Sequence, residues 1–285
     1  MSAVLITGVS SGFGRLTTEA LAARGHEVVA AIRDPAGRNA AARGELETLD
    51  GVRVVELDVN DEASVERGVA AAEGHTGGLD VAVNNAGIGM AGLLETMTSE
   101  QARQQFETNV FGPLRVNRAA LPGMHERGAG LLVHVSSGLG RFVFPFVGLY
   151  AASKYALEAI AEAYRYELAP HGIDSVIVEP GVYATSLGDN SILGADPERG
   201  RAYGEWSDGA QRLFAGDTAG DPQEVADAIA DLVELPHGER PLRVPVGVEV
   251  QGLHALNQAT DAMAREMLTA VGMGALLPDR PQALR

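Results

Sequence analysis

The chain has 285 residues, of which 46% are apolar and 35 are glycine, a composition typical of a folded α/β protein and unlike that of a disordered chain. Its net charge of −16 argues against nucleic acid as a partner, because phosphate backbones are bound by basic patches. The sequence has no cysteine, which excludes disulfides and thiolate metal sites, and its seven histidines show no metal-binding spacing, so no metal site is assigned.

Short apolar runs alternate with amphipathic stretches along most of the chain. The apolar runs predict seven strands, at residues 4–7, 27–32, 53–57, 81–83, 131–135, 175–178 and 242–246. Helices are predicted near residues 13–24, 62–73, 99–127, 151–169 and 222–235. Buried strands separated by helices are typical of a parallel sheet covered on both faces, so we predict an α/β fold with a doubly wound sheet.

No repeat or linker divides the sequence, and residues 1–285 are therefore interpreted as a single domain. The first apolar run begins too close to Met1 for a signal peptide, and no apolar run is long enough to cross a membrane. We therefore predict a soluble, cytoplasmic protein with no membrane partner.

Two segments lie outside the alternation of strands and helices. Residues 183–220 are loop-like in composition yet rich in large apolar groups, and a loop of this length is usually functional, so we predict a substrate lid. Its large side chains are Tyr183, Leu187, Ile192, Leu193, Tyr203, Trp206, Leu213 and Phe214. Residues 253–285 form a C-terminal extension, in which residues 253–271 predict a helix.

A glycine-rich turn, TGVSSGFG at residues 7–14, joins the first predicted strand to the first predicted helix. Backbone amides at a helix start and the helix dipole together bind anions, and glycines let a pyrophosphate approach the backbone closely. The turn therefore predicts a dinucleotide site. The residues assigned to it are Gly8, Ser10, Ser11, Gly12, Phe13 and Gly14.

The second predicted strand ends at Ile32, where an acidic residue would bond the ribose hydroxyl of NAD. The next residue, Arg33, has a guanidinium that can bind a 2′-phosphate, and a solvated loop residue is the less favoured alternative. Asp58, followed by Val59 at the end of the third strand, is a candidate for the adenine amino group or an ordinary turn former. We therefore expect NADP(H) to be favoured, with NAD(H) possible.

The chain has one lysine against 21 arginines, and Lys154 lies four residues after Tyr150 in the sequence YAASK. On a helix these two side chains share a face, so the ammonium would lie beside the phenol. A nearby cation favours the phenolate and lowers the pKa of a tyrosine. The pair therefore indicates acid–base chemistry, although a single YxxxK pattern alone is weak.

Six motifs occur in an order and spacing similar to those of the short-chain dehydrogenase/reductase family, in its common single-domain branch. They are TGVSSGFG, Asn84-Asn85-Ala86-Gly87, Asn109, Ser136-Ser137, Tyr150 with Lys154, and Pro180-Gly181. The resemblance covers about residues 3–247. It implies a Rossmann-type fold with strand order 3-2-1-4-5-6-7 and helices on both faces.

The resemblance also implies a catalytic set. Tyr150 would be the general acid, Ser137 would hydrogen-bond the substrate oxygen, and Lys154 would lower the pKa of Tyr150 and hold the nicotinamide ribose. Ser136, directly before Ser137, is the less favoured candidate for the serine role. Asn109 would lie in a local kink of a long helix and hold a proton-relaying water, which is compatible with its being a buried amide bonded to backbone.

Two further segments would contact the cofactor according to the resemblance. Asn84, Ala86 and Gly87 would lie near the adenosine side, whereas Asn85 would bond within the sheet. A PGxxxT segment would contact the nicotinamide carboxamide through the following residues: Pro180, Gly181, Val182 and Thr185. In this family the long helices at 99–127 and 151–169 commonly form a subunit interface, which implies a homodimer or homotetramer. The C-terminal helix would cover that interface or the substrate cleft.

The expected activity is an NADP(H)-dependent interconversion of a ketone and a secondary alcohol. Phe142, Phe144 and Phe146 follow the serine pair and suit a bulky apolar ketone, unless they are core side chains. One alternative is a catalytically idle NADP(H)-binding regulator, against which the intact catalytic set argues. Another is a sugar epimerase or dehydratase of the extended branch, against which the glycine spacing and the short C-terminal part argue.

Overall fold

The computed structural model describes residues 1–183, 185, 191–210 and 220–278. Within this part of the chain, seven strands form one parallel sheet. They are β1 (Ala3–Thr7), β2 (Glu27–Ile32), β3 (Val52–Glu56), β4 (Val81–Asn84), β5 (Gly130–Val135), β6 (Ile173–Pro180) and β7 (Arg243–Val246). Their order is β3-β2-β1-β4-β5-β6-β7, with every neighbouring pair parallel. The predicted fold class and strand order are confirmed.

Helices cover both faces of this sheet. The longer ones are α1 (Gly12–Ala23), α2 (Ala40–Leu46), α3 (Glu62–Thr76), α4 (Ser99–Phe106), α5 (Gly112–Arg127), α6 (Gly148–Leu168), α7 (Gln223–Glu234) and α8 (Leu253–Ala270). Strand β1 is buried throughout and alternates between two cores. Val4 and Ile6 pack in the core that includes α1 and α7, and Leu5 packs in the core that includes α3 and α5.

The stretch predicted as one long helix, residues 99–127, is divided by a π-helical turn at Glu107–Phe111. Helix α4 begins with a capping box, in which Gln101 N–H donates to Thr98 Oγ1 and Thr98 N–H donates to Gln101 Oε1. The π turn widens the helix by one residue at the position of Asn109. The kink is therefore part of the backbone, where the resemblance implied it.

The segment predicted as a lid falls partly outside the described residues, among them Leu187, Leu213 and Phe214. The described part is less loop-like than the sequence indicated. Ile192–Leu193 pairs in parallel with Met90–Ala91, and a short helix at Pro197–Gly200 leads into a turn at Arg201–Trp206. The lid itself stays a prediction.

Helix α8 corresponds to the helix predicted in the C-terminal extension. Of its residues only Leu253 and Asn257 are buried, so it lies on the surface and is held from one side. Among the described residues, no helix combines the length and the apolarity that crossing a bilayer needs.

Candidate active site

The glycine-rich turn lies at the carboxyl end of β1, where parallel sheets bind their ligands. Gly8 and Gly12 have φ angles of +71° and +56°, which side chains other than glycine rarely adopt. A Cβ atom on Gly14 would lie 2.4 Å from both the Gly8 carbonyl oxygen and Asn85 Nδ2. The first turn of α1 contains no acidic residue. Its amides and dipole therefore face the turn with no carboxylate opposing them, which fits a pyrophosphate.

The sequence Asn84-Asn85-Ala86-Gly87 begins at the last residue of β4. Asn85 Nδ2 donates to the carbonyl oxygens of Thr7 and Gly8 at 2.9 and 3.0 Å, so it joins the two loops, as expected. Ala86 is half-buried and Gly87 is exposed.

Asn84 is bonded within the protein. Its side chain is 2% exposed, and its Nδ2 donates to Asn117 Oδ1 of α5 at 2.7 Å. As the last residue of β4 it points into the interior on the α5 side of the sheet. The side chain of Asn84 is therefore held by α5, and the position of this residue near the adenosine stays a prediction.

Arg33 and Asp58 follow neighbouring strands and meet at the same edge of the sheet. Arg33 Nη1 lies 3.9 Å from Asp58 Oδ2, and the two side chains are 50% and 31% exposed. Asp58 Oδ1 accepts the amide of Asn60, which is the turn-forming role considered for it. Val59 is 8% exposed and packs against Gly112 of α5, so its side chain supports the site and is not open to it.

Tyr150 and Ser137 are brought together by the start of α6 and the end of β5. The phenol is partly buried and hydrogen-bonded to the Ser137 side chain, whose Oγ also accepts the amide of Leu139 at 3.1 Å. Burial raises the pKa of Tyr150 to about 12, against the opposing effect of the Ser137 bond. The cost of removing a phenolate from water therefore dominates this pKa, and the lowering expected from Lys154 stays a prediction.

Lys154 lies beneath Tyr150 on the same face of α6. Its Nζ is 5.6 Å from the centre of the Tyr150 ring and donates to the Val135 carbonyl oxygen at 2.8 Å. The side chain is 6% exposed, and burial lowers its pKa to about 8, although the charge of Glu158 acts in the opposite direction. The ammonium is therefore poised to gain or lose a proton near neutral pH.

Asn109 is bonded within the protein on both sides of its amide. Nδ2 donates to the Ile88 carbonyl oxygen and to Ser153 Oγ, and Oδ1 accepts the Ile88 amide at 2.9 Å. A Cβ atom on Gly87 would lie 3.4 Å from Asn109 Oδ1 and 3.9 Å from Lys154 Nζ. Asn109 and Lys154 therefore share one small space beside Gly87, while both hydrogens of the Asn109 amide are already used.

The chain continues from Pro180, the last residue of β6, toward the glycine-rich turn, which it meets at Tyr183. Gly181 N–H donates to the Val246 carbonyl oxygen at 2.8 Å, whereas Val182 is 59% exposed and Thr185 is half-buried. Tyr183, considered above only as part of the lid, packs edge-on against Phe13 with ring centroids 5.5 Å apart. This contact joins the two cofactor loops, and the aromatic character of both residues was its only signal in the sequence.

The three phenylalanines after the serine pair differ in position. Phe142 and Phe144 are 40% and 47% exposed, so they are not core. Phe146 has a φ of +67° and stacks on Trp206, with ring centroids 6.4 Å apart. It also packs in a small apolar cluster with Tyr150 and Leu139. An apolar wall therefore adjoins the phenol.

Comparisons with known proteins agree with this geometry. The family model for short chain dehydrogenase matches residues 2–193. An uncharacterized oxidoreductase of Bacillus subtilis (strain 168) is 38% identical over 254 residues, which cover 85% of this chain and 88% of the relative. The 3-ketodihydrosphingosine reductase of Bacteroides thetaiotaomicron is 32% identical over 258 residues, which cover 90% of this chain and 91% of the relative. A short-chain dehydrogenase from Streptomyces avermitilis has a solved structure with a TM-score of 0.78 and 33% identity, over 96% of this chain and 98% of that one.

A doubly wound sheet with a phosphate-binding turn and a Ser–Tyr–Lys group beside it defines a nicotinamide-dependent oxidoreductase. The chain belongs to the short-chain dehydrogenase/reductase family and is an NAD(P)-dependent dehydrogenase or reductase of that family.

Proposed function

We propose that the protein is an NADP(H)-dependent carbonyl reductase or alcohol dehydrogenase that interconverts a bulky apolar ketone and its secondary alcohol. The observation that carries the proposal is the convergence of three side chains. Ser137 is bonded to the Tyr150 phenol, and Lys154 Nζ lies 5.6 Å from the centre of the same ring.

A bound nicotinamide cofactor supplies the hydride that reduces the carbonyl carbon. Ser137 donates a hydrogen bond to the carbonyl oxygen, and Tyr150 gives that oxygen its proton as the C=O bond becomes C–OH. A phenol whose pKa is about 12 keeps its proton at neutral pH, which suits an acid in the reductive direction. Lys154, whose pKa is about 8, is the group that returns a proton to the phenolate and holds the cofactor ribose.

The preference for NADP(H) rests on Arg33. Its guanidinium is half exposed at the end of β2, and its partner Asp58 is 3.9 Å away, too far for a hydrogen bond. A 2′-phosphate would offer it a charge-assisted bond that the hydroxyl of NAD(H) does not. NAD(H) remains a possible second cofactor.

The bulky apolar substrate is supported by the surroundings of the phenol. Phe146, Leu139 and Tyr150 pack against the same small apolar cluster, and Phe146 also stacks on Trp206. Phe142 and Phe144 are exposed in the same loop. The Bacteroides relative is named for a keto substrate and for its reduction. A ketone with a long or aromatic apolar body fits both observations.

The test is a panel of ketones of increasing apolar size, acetophenone, 2-decanone and a steroid ketone, with NADPH consumption followed by absorbance. Consumption should rise with apolar size in wild type and be nearly absent in Tyr150→Phe. A protein that binds NADPH yet consumes none with any ketone would support the alternative of an idle NADP(H)-binding regulator.

The proposal includes a homodimer or homotetramer formed through α5 and α6. A groove between these helices is lined by Leu114, Leu121 and Tyr164 beside Phe111, which is 46% exposed. Sedimentation of wild type and of Phe111→Glu tests it. A smaller species for the variant is expected, whereas a monomeric wild type contradicts the interface.

A further inference from the structure

A cluster of buried ionisable side chains connects β6, β7 and α6. Arg243 of β7, Glu158 of α6 and Glu179 of β6 are each no more than 2% exposed. Arg243 Nε lies 2.9 Å from Glu158 Oε2 and 3.7 Å from Glu179 Oε1. Buried ions need several well-placed partners, because losing their hydration is costly.

Arg243 also pairs with Glu162 of α6, and the C-terminal helix α8 supplies further partners of the cluster. Asn257 is fully buried, its Nδ2 donates to Glu179 Oε2 at 2.7 Å, and its Oδ1 accepts Arg141 Nε at 2.9 Å. Thr260 Oγ1, one turn further along α8, accepts Arg141 Nη2 at 2.8 Å. The surface helix is therefore attached to the interior by polar side chains.

Both partners of Asn257 belong to loops of the active site. Glu179 directly precedes Pro180 and Gly181, which begin the segment assigned to the nicotinamide. Arg141 ends the short turn that Ser137 begins, and its amide donates to the Gly138 carbonyl oxygen at 3.0 Å. One buried amide thus joins the serine turn, residues 137–141, to the cofactor loop, residues 179–183.

Both loops also pack closely against the segment that precedes α8. A Cβ atom on Gly138 would lie 2.5 Å from Val250 Cγ1 and 3.7 Å from Leu253 Cδ1, so the serine turn already touches the start of α8. A Cβ atom on Gly181 would lie 2.7 Å from Glu249 Oε2. The chain between β7 and α8 is therefore in contact with both loops.

We propose that Asn257 is a positioning residue, through which the C-terminal helix fixes the distance between the substrate serine turn and the nicotinamide loop. This proposal rests on the proposed function, since that assigns the two loops to substrate and cofactor. Only a side chain with one donor and one acceptor satisfies Glu179 and Arg141 together. Burial raises the pKa of Glu179, and the hydrogen bond from Asn257 acts in the opposite direction, so this donor stabilises the buried carboxylate.

Three variants distinguish the contact with Glu179 from the contacts with Arg141. Asn257→Asp keeps an acceptor for Arg141 but replaces the donor facing Glu179. Thr260→Val removes one acceptor from Arg141 and leaves Glu179 bonded. Met263→Ala, at a 60% exposed position of the same helix, is the matched control.

The first measurement is hydrogen exchange by mass spectrometry, with and without NADPH, and it needs no substrate. Asn257→Asp should accelerate exchange in residues 179–183 more than in residues 137–141, and Thr260→Val should show the reverse selectivity. Exchange in the glycine-rich turn should stay as in wild type. Equal exchange in Thr260→Val, Asn257→Asp and Met263→Ala would overturn the proposal, and if Asn257→Asp does not fold, Thr260→Val decides alone.

The second measurement is turnover of the best ketone at a temperature where thermal melts show each variant folded. Misplacing reacting groups by about 1 Å costs on the order of 100-fold in rate, so kcat of Asn257→Asp should fall by about 10- to 100-fold. The Kd of NADPH should change by less than about 3-fold, because the phosphate turn is untouched. Wild-type kcat in folded Asn257→Asp refutes the positioning role. A wild type without turnover refutes the proposed function instead, and the exchange data still decide the link.

Discussion

Replacing Lys154 with methionine should change the pH dependence of stability in a direction set by burial. The ammonium is 6% exposed, and its pKa is about 8 in the folded protein against an ordinary 10.5. Between these values the unfolded chain still binds the proton and the folded protein does not. The unfolding free energy of the wild type relative to Lys154→Met therefore rises with pH through this window. The gain is fully present above about pH 10.5 and disappears as the pH falls to about 8.

The size of the effect follows from the two pKa values. Each pH unit across the window contributes about 1.36 kcal/mol, so the whole interval amounts to about 3 kcal/mol. The bond from Nζ to the Val135 carbonyl oxygen, which methionine cannot make, shifts the difference by a constant wherever lysine is charged in both states. In the folded protein Tyr150, whose pKa is about 12, keeps its proton through the window. Its titration in the unfolded chain is common to wild type and variant and cancels in the comparison.

The assay is urea unfolding of cofactor-free wild type and Lys154→Met at pH 7, 8, 9, 10 and 10.5. The chain has no second lysine for a control. Arg103→Met, at a 73% exposed side chain, should show no trend over the same range, since arginine stays charged. A difference between wild type and Lys154→Met that is flat, or that falls as pH rises, would show that burial does not govern this lysine.

Three further results are expected. Tyr150→Phe should lower kcat by about 10²–10⁴-fold with the Kd of NADPH nearly unchanged. Lys154→Arg should also lose most activity, because a guanidinium is too large for the site of the ammonium. Near-normal turnover of either variant contradicts the assigned roles. Arg33→Ala should weaken NADPH by about one to two orders of magnitude, from the loss of roughly 1.5–3 kcal/mol, and leave NADH unaffected in fluorescence titrations; equal losses for both cofactors contradict phosphate recognition. Gly14→Ala should abolish cofactor binding, because its Cβ would lie 2.4 Å from two atoms, whereas Gly44→Ala, with open space around it, should bind normally and be slightly more stable in thermal melts.

The central sheet could be predicted because its strands are buried on both faces and read as unbroken apolar runs. β1, all of whose residues are buried, is the clearest case. Helix α2 was not predicted, since it has seven residues and buries only Leu46, too little for an apolar stripe. The short helices in the segment predicted as a lid were missed for a similar reason, because short helices leave little periodicity in a sequence.

The site residues that could be predicted lie in local motifs, such as the turn at residues 7–14 and the Tyr150–Lys154 pair. The side chain of Asn84 could not be placed, since a motif does not say which face of the sheet its residue takes. The link through Asn257 joins residues 78 apart, and its partner Glu179 is a lone acid within an apolar run. The position of Glu179 in an apolar run indicates that it is buried and needs a polar partner, but the sequence does not show which residue that partner is. The raised pKa of Tyr150 likewise depends on packing that no local pattern encodes.

Phe146 combines an unfavourable backbone conformation with a well-packed aromatic side chain. Its backbone is left-handed, at φ +67°, which costs a residue other than glycine roughly 1–2 kcal/mol. Glycine at this position would relieve the strain, yet it would also remove the aromatic ring that stacks on Trp206. Attempts to make this protein more heat-resistant should therefore leave position 146 unaltered, because relief of strain there would remove part of the apolar surroundings to which we assign the substrate.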